Sequence, residues 1–272
     1  MTRYPPKISI VINNYNYGRF LGEAIDSVLN QDCPAWEIIV VDDGSTDDSR
    51  DILQSYESHP TIKIILQENK GQEAALQRGF NEVTGDWVLG LDADDYYFPN
   101  CLEQISRFTH PDVSLIYFKA RVMEHDRLTS KMLPGEKIIL RQGDLVEQWL
   151  IKGLPHTFPA QSFNCYSRSL IDSIKIFPHP HISQSAEYAP DRSMQLEAVL
   201  QGNIIAIDQC MGCYREHPLG IIKSLHLNIS KIRNIINNED EVKNFIAERI
   251  IPWKKVLFTG DFKSILNIGT TV

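Results

Sequence analysis

No apolar run in the sequence approaches the ~18 residues that a membrane-spanning helix requires, and the densest stretches, such as IIVV at 38–41, are strand-length. No secretory leader is expected, because the apolar segment Ile8–Ile12 stops at Asn13 and no small-residue cleavage site follows. Basic residues are in deficit. With 27 Lys+Arg against 35 Asp+Glu the net charge is −8, which argues against a nucleic-acid binder and its basic patch. Cysteine is sparse and odd in number, 5 in 272 residues, so reduced thiols are expected rather than a disulfide framework. The lone CxxC at Cys210–Cys213 has no second pair to complete a zinc site, and His156, His179 and His181 follow no zinc spacing. Internal repeats and low-complexity segments are absent. What remains is an ordinary globular composition, 43% hydrophobic and 23% charged, with the length of one large domain or two unequal lobes. A cytoplasmic protein is expected.

The first hundred residues alternate between two hydrophobic periods. ISIVI (8–12), EIIVV (37–41), KIIL (63–66) and WVLGL (87–91) are short, β-branched and apolar, which predicts buried strands. Between them, Phe20, Leu21, Ala24, Ile25, Val28 and Leu29 recur at helical spacing, and a helix over 72–83 buries Leu76, Phe80 and Val83. Ser45 and Asp48 have the spacing of a capping box for a helix carrying Ile52, Leu53 and Tyr56. Alternating strands and helices predict an α/β fold, a mainly parallel sheet covered on both faces. Ligands of such sheets bind beyond the carboxyl ends of the strands. Asp42-Asp43 and Asp92–Asp95 both fall there, on two strands expected to be neighbours.

After Pro99 the pattern is mixed. Strands are expected at 114–122, 137–140, 162–168 and 203–208, with a short helix at 144–151, a Pro/His-rich loop at 177–190 and a helix from Asp191 to Gly202. From 221 onward the sequence turns helical, and Ile222, Leu225, Ile229, Ile232 and Ile236 form one apolar seam. That seam could be covered by the protein's own core, by a second copy in a homodimer through 221–237, or by peripheral contact with the inner membrane face. Glu239, Asp240 and Glu241 oppose the last of these, since anionic lipid repels them.

Carboxylates carry the chemical signal. Asp92, Asp94 and Asp95 repel one another unless a cation sits among them, and hard cations such as Mg²⁺ take oxygen ligands of this kind; the bland alternative is a solvated turn. Asp42 and Asp43 begin an acidic Gly-Ser turn that can cap a helix or accept hydrogen bonds from a base or sugar. Tyr214-Arg215-Glu216-His217 places two basic groups past a strand, where they could meet a diphosphate or form a surface salt bridge.

The ordered segments PKISIVINNYN, VLNQDCPAWEIIVVDDGSTDDS, ENKGQEAALQRGFNEVTGDWVLGLDADDYYFP and PDRSMQLEAVLQG…YREH together resemble the family 2 glycosyltransferases of the GT-A fold. The resemblance is strong over 7–100, recognisable over about 160–217 and absent beyond. It implies a GT-A domain over 1–217, with a nucleotide-binding half (1–100) and an acceptor-binding half (101–217), followed by a helical extension over 218–272. The implied activity is transfer of a sugar, with inversion, from a nucleotide-diphosphate sugar (UDP by family habit) to a glycan or lipid-linked acceptor. Mg²⁺ or Mn²⁺ is the implied cofactor. Position by position, Asn13, Asn14 and Tyr15 fall at the nucleotide and Asp42 at the base. Asp92 falls at the ribose or donor sugar and Asp94 at the metal. Asp191 takes the slot of the catalytic base, while Arg215 and His217 lie in the later basic segment toward the diphosphate and the metal.

Departures from the family pattern shape the expectation further. Pro190 replaces the Glu that usually precedes the base, and Leu76-Gln77 replaces a frequent Arg-Asn. The QxxRW motif of processive synthases is missing, which favours addition of single sugars, as in the biosynthesis of surface polysaccharides. A nucleotidyltransferase would carry a Gly-rich basic loop after the first strand, and INNYNYGRF has none. A non-catalytic sugar-nucleotide-binding partner would have no need of Asp92, Asp94 and Asp191 together.

Overall fold

The computed structural model describes residues 5–135, 142–143, 145, 159–174 and 190–216. Outside them lie the strand expected at 137–140, nearly all of the helix at 144–151, and the Pro/His-rich loop up to residue 189. His156, His179, His181, His217, the seam from Ile222 to Ile236 and the C-terminal extension are outside them too.

Strand β1 (Ile8–Asn14) is buried along its whole length, as its β-branched run requires, and side chains alternate between two apolar clusters. Helix α1 (Gly18–Leu29), β2 (Glu37–Asp43), α2 (Ser49–Gln54), β3 (Ile62–Gln67), α3 (Gln72–Glu82) and β4 (Trp87–Asp92) follow. All pairings among these strands are parallel, and their order is β3-β2-β1-β4. The acidic strands β2 and β4 are therefore not neighbours, contrary to the sequence expectation: β1 lies between them. Right-handed crossovers give the reason. Helices α1 and α2 cover one face with Leu21, Ile25 and Leu53 and step the chain outward to β3. Helix α3 then returns across the other face with Ala75, Leu76 and Phe80, so β4 pairs on the far side of β1. Gly79 permits that return, since a Cβ there would stand 2.3 Å from Val11 Cγ1.

The second half continues the same sheet with mixed polarity. It adds β5 (Tyr96–Tyr97), α4 (Cys101–Ser106), β6 (Val113–Glu124), the antiparallel β7 (Arg127–Leu133) and β8 (Asn164–Ser167). Helices Arg168–Ser173 and Pro190–Gln201 and strand β9 (Asn203–Glu216) complete the described fold. Strand β8 joins the halves, antiparallel to both β4 and β6. Strand β9 runs parallel to β6 and well past Asp208, where the sequence pattern ends it. The polar pair Asp208-Gln209 is accommodated by a register shift opposite Phe118 and Lys119, and Lys119 pairs with Asp208. That continuation carries Tyr214 and Arg215 to the acidic cluster.

The capping box expected at Ser45 and Asp48 does not form. Helix α2 starts at Ser49 without a side-chain cap from Asp48, and the Ser45 hydroxyl accepts from Asn14 Nδ2 (3.1 Å) and the Asn16 amide (2.9 Å) instead. All five cysteines are free. Among the described residues no helix is long and apolar enough to cross a membrane.

Glu37 ties the strand starts together, accepting from Ser9 Oγ (2.6 Å), Thr84 Oγ1 (2.9 Å) and the Thr84 amide (2.5 Å). Partial burial opposes its ionisation, but these donors outweigh it and hold the carboxyl below its usual value. A depressed carboxyl contributes stability above its unfolded pKa of about 4.3 and loses it as the pH falls further. Glu37→Gln should therefore lower the melting temperature at pH 7, with the gap to the parent closing toward pH 3. A thermal-melting series across that range checks the trend.

Candidate active site

The register of β1 organises the site. Asn14 stands opposite Asp42 on one side and Asn13 opposite Asp92 on the other, so adjacent residues of the central strand link both acidic clusters. Asn14 Nδ2 donates to Asp42 Oδ1 (2.8 Å), the Ser45 amide donates to Asp42 Oδ2 (3.1 Å), and Arg50 Nε lies 3.6 Å from the same oxygen. Asp42 is thus a buried acceptor held from three sides, while Tyr15, next after Asn14, is half-exposed. Gly44 supplies the left-handed turn (φ +76°) that lets this loop press on Asn69, whose amide nitrogen is 2.6 Å from where a Cβ would sit.

Asp43, which the sequence offered with Asp42 as a helix cap or an acceptor from a base or sugar, instead holds the facing loop. It accepts from Gln67 Nε2 (2.7 Å) and from the amides of Lys70 and Gly71 (both 2.8 Å). This loop delivers the start of α3 to the site, where Gln72 Nε2 donates to Asp92 Oδ1 (3.1 Å).

The turn after β4 is held from distant parts of the chain. Ser162 Oγ donates to Asp95 Oδ2 (2.6 Å) and accepts from the Asp92 amide (3.0 Å). Tyr97, beneath them, donates to the Ser162 carbonyl (2.8 Å) and also to the Gly90 carbonyl. From β9, the Arg215 amide donates to Asp95 Oδ1 (2.9 Å) and Arg215 Nε to the Asp94 carbonyl (3.0 Å). Burial, followed by the charges of Asp94 and Asp92, pushes the Asp95 carboxyl well above the carboxylate range. Burial and the same three acids push the Tyr17 phenol up to about 12. The concentrated negative charge is thus felt at the start of α1 as well.

Asp95 is a buried anchor, whereas Asp92 and Asp94 are only half-buried. Among the described residues no group of three His, Cys, Asp or Glu side chains is arranged to hold a metal alone. The donor set fits a hard cation that completes its shell with substrate oxygens, the usual arrangement for Mg²⁺ with one or two carboxylates and a phosphate.

The resemblance sends Arg215 toward the diphosphate, but its guanidinium faces protein. The side chain is only 7% exposed; it pairs with Glu23 and Asp126 and lies 4.6 Å from the Phe20 ring centroid. Its main effect here is to fix the backbone of Asp94 and Asp95. Asp191 lies in the first turn of helix Pro190–Gln201, and its side chain is outside the description. Sequence reasoning missed Ser162, Glu23 and Asp126 because no local pattern marks them: Ser162 is 67 residues from Asp95, and Glu23 is 192 from Arg215.

Comparison with known proteins identifies the family and the fold. Residues 9–174 match the family described as Glycosyl transferase family 2. An uncharacterized glycosyltransferase of Nostoc sp. is 39% identical over 175 residues, covering 63% of this chain and 53% of that protein. Chondroitin synthase of Escherichia coli is 36% identical over 251 residues, covering 90% of this chain but 37% of that protein. The chain thus spans about half or less of the length of these relatives. Among solved structures, S. aureus TarS 1–349 in complex with UDP-GlcNAc superposes with a TM-score of 0.65 at 19% identity, over 96% of this chain and 70% of that one. The mannosyltransferase PcManGT of Pyrobaculum calidifontis, in complex with GDP-Man and Mn²⁺, gives 0.56 at 18% identity over 80% and 59%. These likenesses show the GT-A type fold, a curled α/β sheet flanked by helices. With the family match spanning more than half of its length, the chain belongs to glycosyl transferase family 2.

Proposed function

We propose that this protein transfers a sugar, with inversion, from a nucleotide-diphosphate sugar, UDP-linked by preference, to a hydroxyl of a glycan or lipid-linked acceptor. The observation that carries this reading is the β1 register, which joins Asp42 and Asp92 through Asn14 and Asn13 into one polar rim at the strand ends. The printed ligands of the structural neighbours, UDP-GlcNAc and GDP-Man with Mn²⁺, support the donor class and the metal. In this reading residues 1–100 hold the nucleotide and residues 101–217 the acceptor.

Asn13, Asn14, Tyr15 and Asp42 receive the nucleoside, and Asp92 receives the ribose or the sugar. Asp94, with His217, would hold Mg²⁺ or Mn²⁺. A cation bound there supplies positive charge against the departing diphosphate without a proton. Arg215 keeps the Asp94 backbone in place while that charge develops. Asp191 removes the proton from the acceptor hydroxyl on the ring face opposite the leaving group. As a carboxylate in the first turn of a helix, its charged form is favoured.

Titration calorimetry with UDP tests the metal reading. Mn²⁺ should strengthen UDP binding, and Asp94→Ala should abolish that enhancement with the fold intact by circular dichroism. Equal UDP affinity with Mn²⁺ and with EDTA would sink it.

A further inference from the structure

Resting on the sugar-transfer reading above, a cluster of buried amides beside Asp92 has a role that the site so far described does not use. Gln161, Asn164 and Gln195 are 4%, 0% and 1% exposed. Both ends of the Gln161 amide, Asn164 Oδ1 and Gln195 Oε1 have no hydrogen-bond partner among the described residues. Buried amides are normally satisfied, and each exception calls for an explanation. These exceptions are contiguous. Asn164 Nδ2 (3.2 Å) and Gln195 Nε2 (3.0 Å) donate to the same acceptor, the Pro159 carbonyl, which brings both amides together with their oxygens left over. The Gln161 amide lies over Gly90: a Cβ on that glycine would stand 2.5 Å from Gln161 Nε2.

Position separates this cluster from ordinary core polarity. Gly90 is two residues before Asp92 on β4, and Ser162, next to Gln161, accepts from the Asp92 amide. Gln195 is four residues, about one helical turn, after Asp191. The amides thus adjoin both the carboxylate turn proposed for the donor and its metal, through Ser162, and the helix that carries the proposed base, through Gln195. In a single displacement the sugar ring lies between the leaving diphosphate and the base. A ring edge of vicinal hydroxyls offers donors and acceptors together, the complement of unpartnered amide oxygens and one whole unpartnered amide.

We propose that Gln161, with Asn164 and Gln195 beside it, is a recognition site for the hydroxyls of the donor sugar. The amides are buried, so the 159–163 turn would shift to admit the ring, and the hydroxyls then satisfy amides that have no partner among the described residues. A site built on buried hydrogen-bonding groups discriminates strongly, because a sugar without the matching hydroxyl leaves them unpaired.

The test compares UDP with UDP-glucose, UDP-N-acetylglucosamine and UDP-glucuronic acid by calorimetry on the full chain with Mn²⁺. The parent should bind at least one of these sugars more tightly than UDP. In Gln161→Met, a near-isosteric change, that sugar-dependent gain should fall by about tenfold while UDP affinity stays unchanged. The same substitution should raise the melting temperature, because it removes an unpaired buried amide. Gly90→Ala displaces the amide without altering it and should reduce the same gain. An undiminished gain in both variants overturns the proposal while leaving the transferase reading standing. A lower melting temperature for Gln161→Met also overturns it, since the amide would then be satisfied in the folded protein. A parent that binds neither UDP nor any UDP-sugar overturns the transferase reading, and this proposal with it.

Discussion

Asp191→Asn is expected to cut turnover by roughly 10²–10⁴-fold, the contribution of a positioned general base. UDP affinity should not change, because the residue is assigned to the acceptor side of the ring and not to the nucleotide. The substitution keeps size, and losing a carboxylate from the first turn of helix Pro190–Gln201 costs only about 0.3–1 kcal/mol. Folding should therefore survive, and the loss should appear in kcat. UDP release from the donor provides the readout even without the acceptor, since water attacks the same carbon when a base activates it. A variant that turns over at the parental rate would move the base elsewhere, with Glu187 the next residue to change.

Phe118→Ala should give the largest loss of stability, about 3–5 kcal/mol, the range for a buried phenylalanine reduced to alanine. Phe118 is fully buried on β6 and meets Tyr97 and Phe163 edge-on at centroid distances of 6.1 and 5.8 Å. Phe163 in turn meets Tyr214 at 6.5 Å, so an aromatic ladder runs beneath the acidic turn from β5 to β9. At roughly 2–4 °C per kcal/mol for a protein of this size, the melting temperature should fall by about 6–20 °C. Tyr97, left without its ring neighbour, would hold Ser162 less firmly, and the Mn²⁺ enhancement of UDP binding should weaken in step. Urea unfolding measures the first effect. A loss below about 1 kcal/mol would mean that the ladder repacks around the missing ring.

The parts of the fold legible in the sequence are those in which one short segment carries its own pattern. Strands β1 to β4 and helices α1 and α3 are apolar at a clear period, and both acidic turns end their strands as composition implies. Strand order was less accessible, because the neighbour of β4 depends on which face each crossover covers, and α1 and α3 have similar local patterns. The end of β9 lies beyond the point that the sequence pattern indicates, because a bulge hides Asp208-Gln209 within a continuing strand. In the site, Asp42, Asp92 and Asp94 could be marked from type and position. The clamp that fixes the Asp92–Asp95 turn could not: Ser162, Tyr97, Glu23 and Asp126 acquire their meaning only from one another, across distant elements.

That clamp also sets a timetable for synthesis. The amide that completes Asp95 belongs to Arg215, 120 residues later, and at about 5–20 residues per second it leaves the ribosome roughly 6–24 s after the acid it serves. Strands β1 to β4 can pair early. β4 nevertheless keeps a bare edge until β8, beginning at Asn164, is made. A nascent chain stalled between those points presents an apolar parallel sheet with an open hydrogen-bonding row, the template on which other chains add strands. The vulnerable stage in the life of this protein is thus its manufacture, and slow codons or nonsense mutations between residues 93 and 163 should place the heaviest load on the chaperones that meet it.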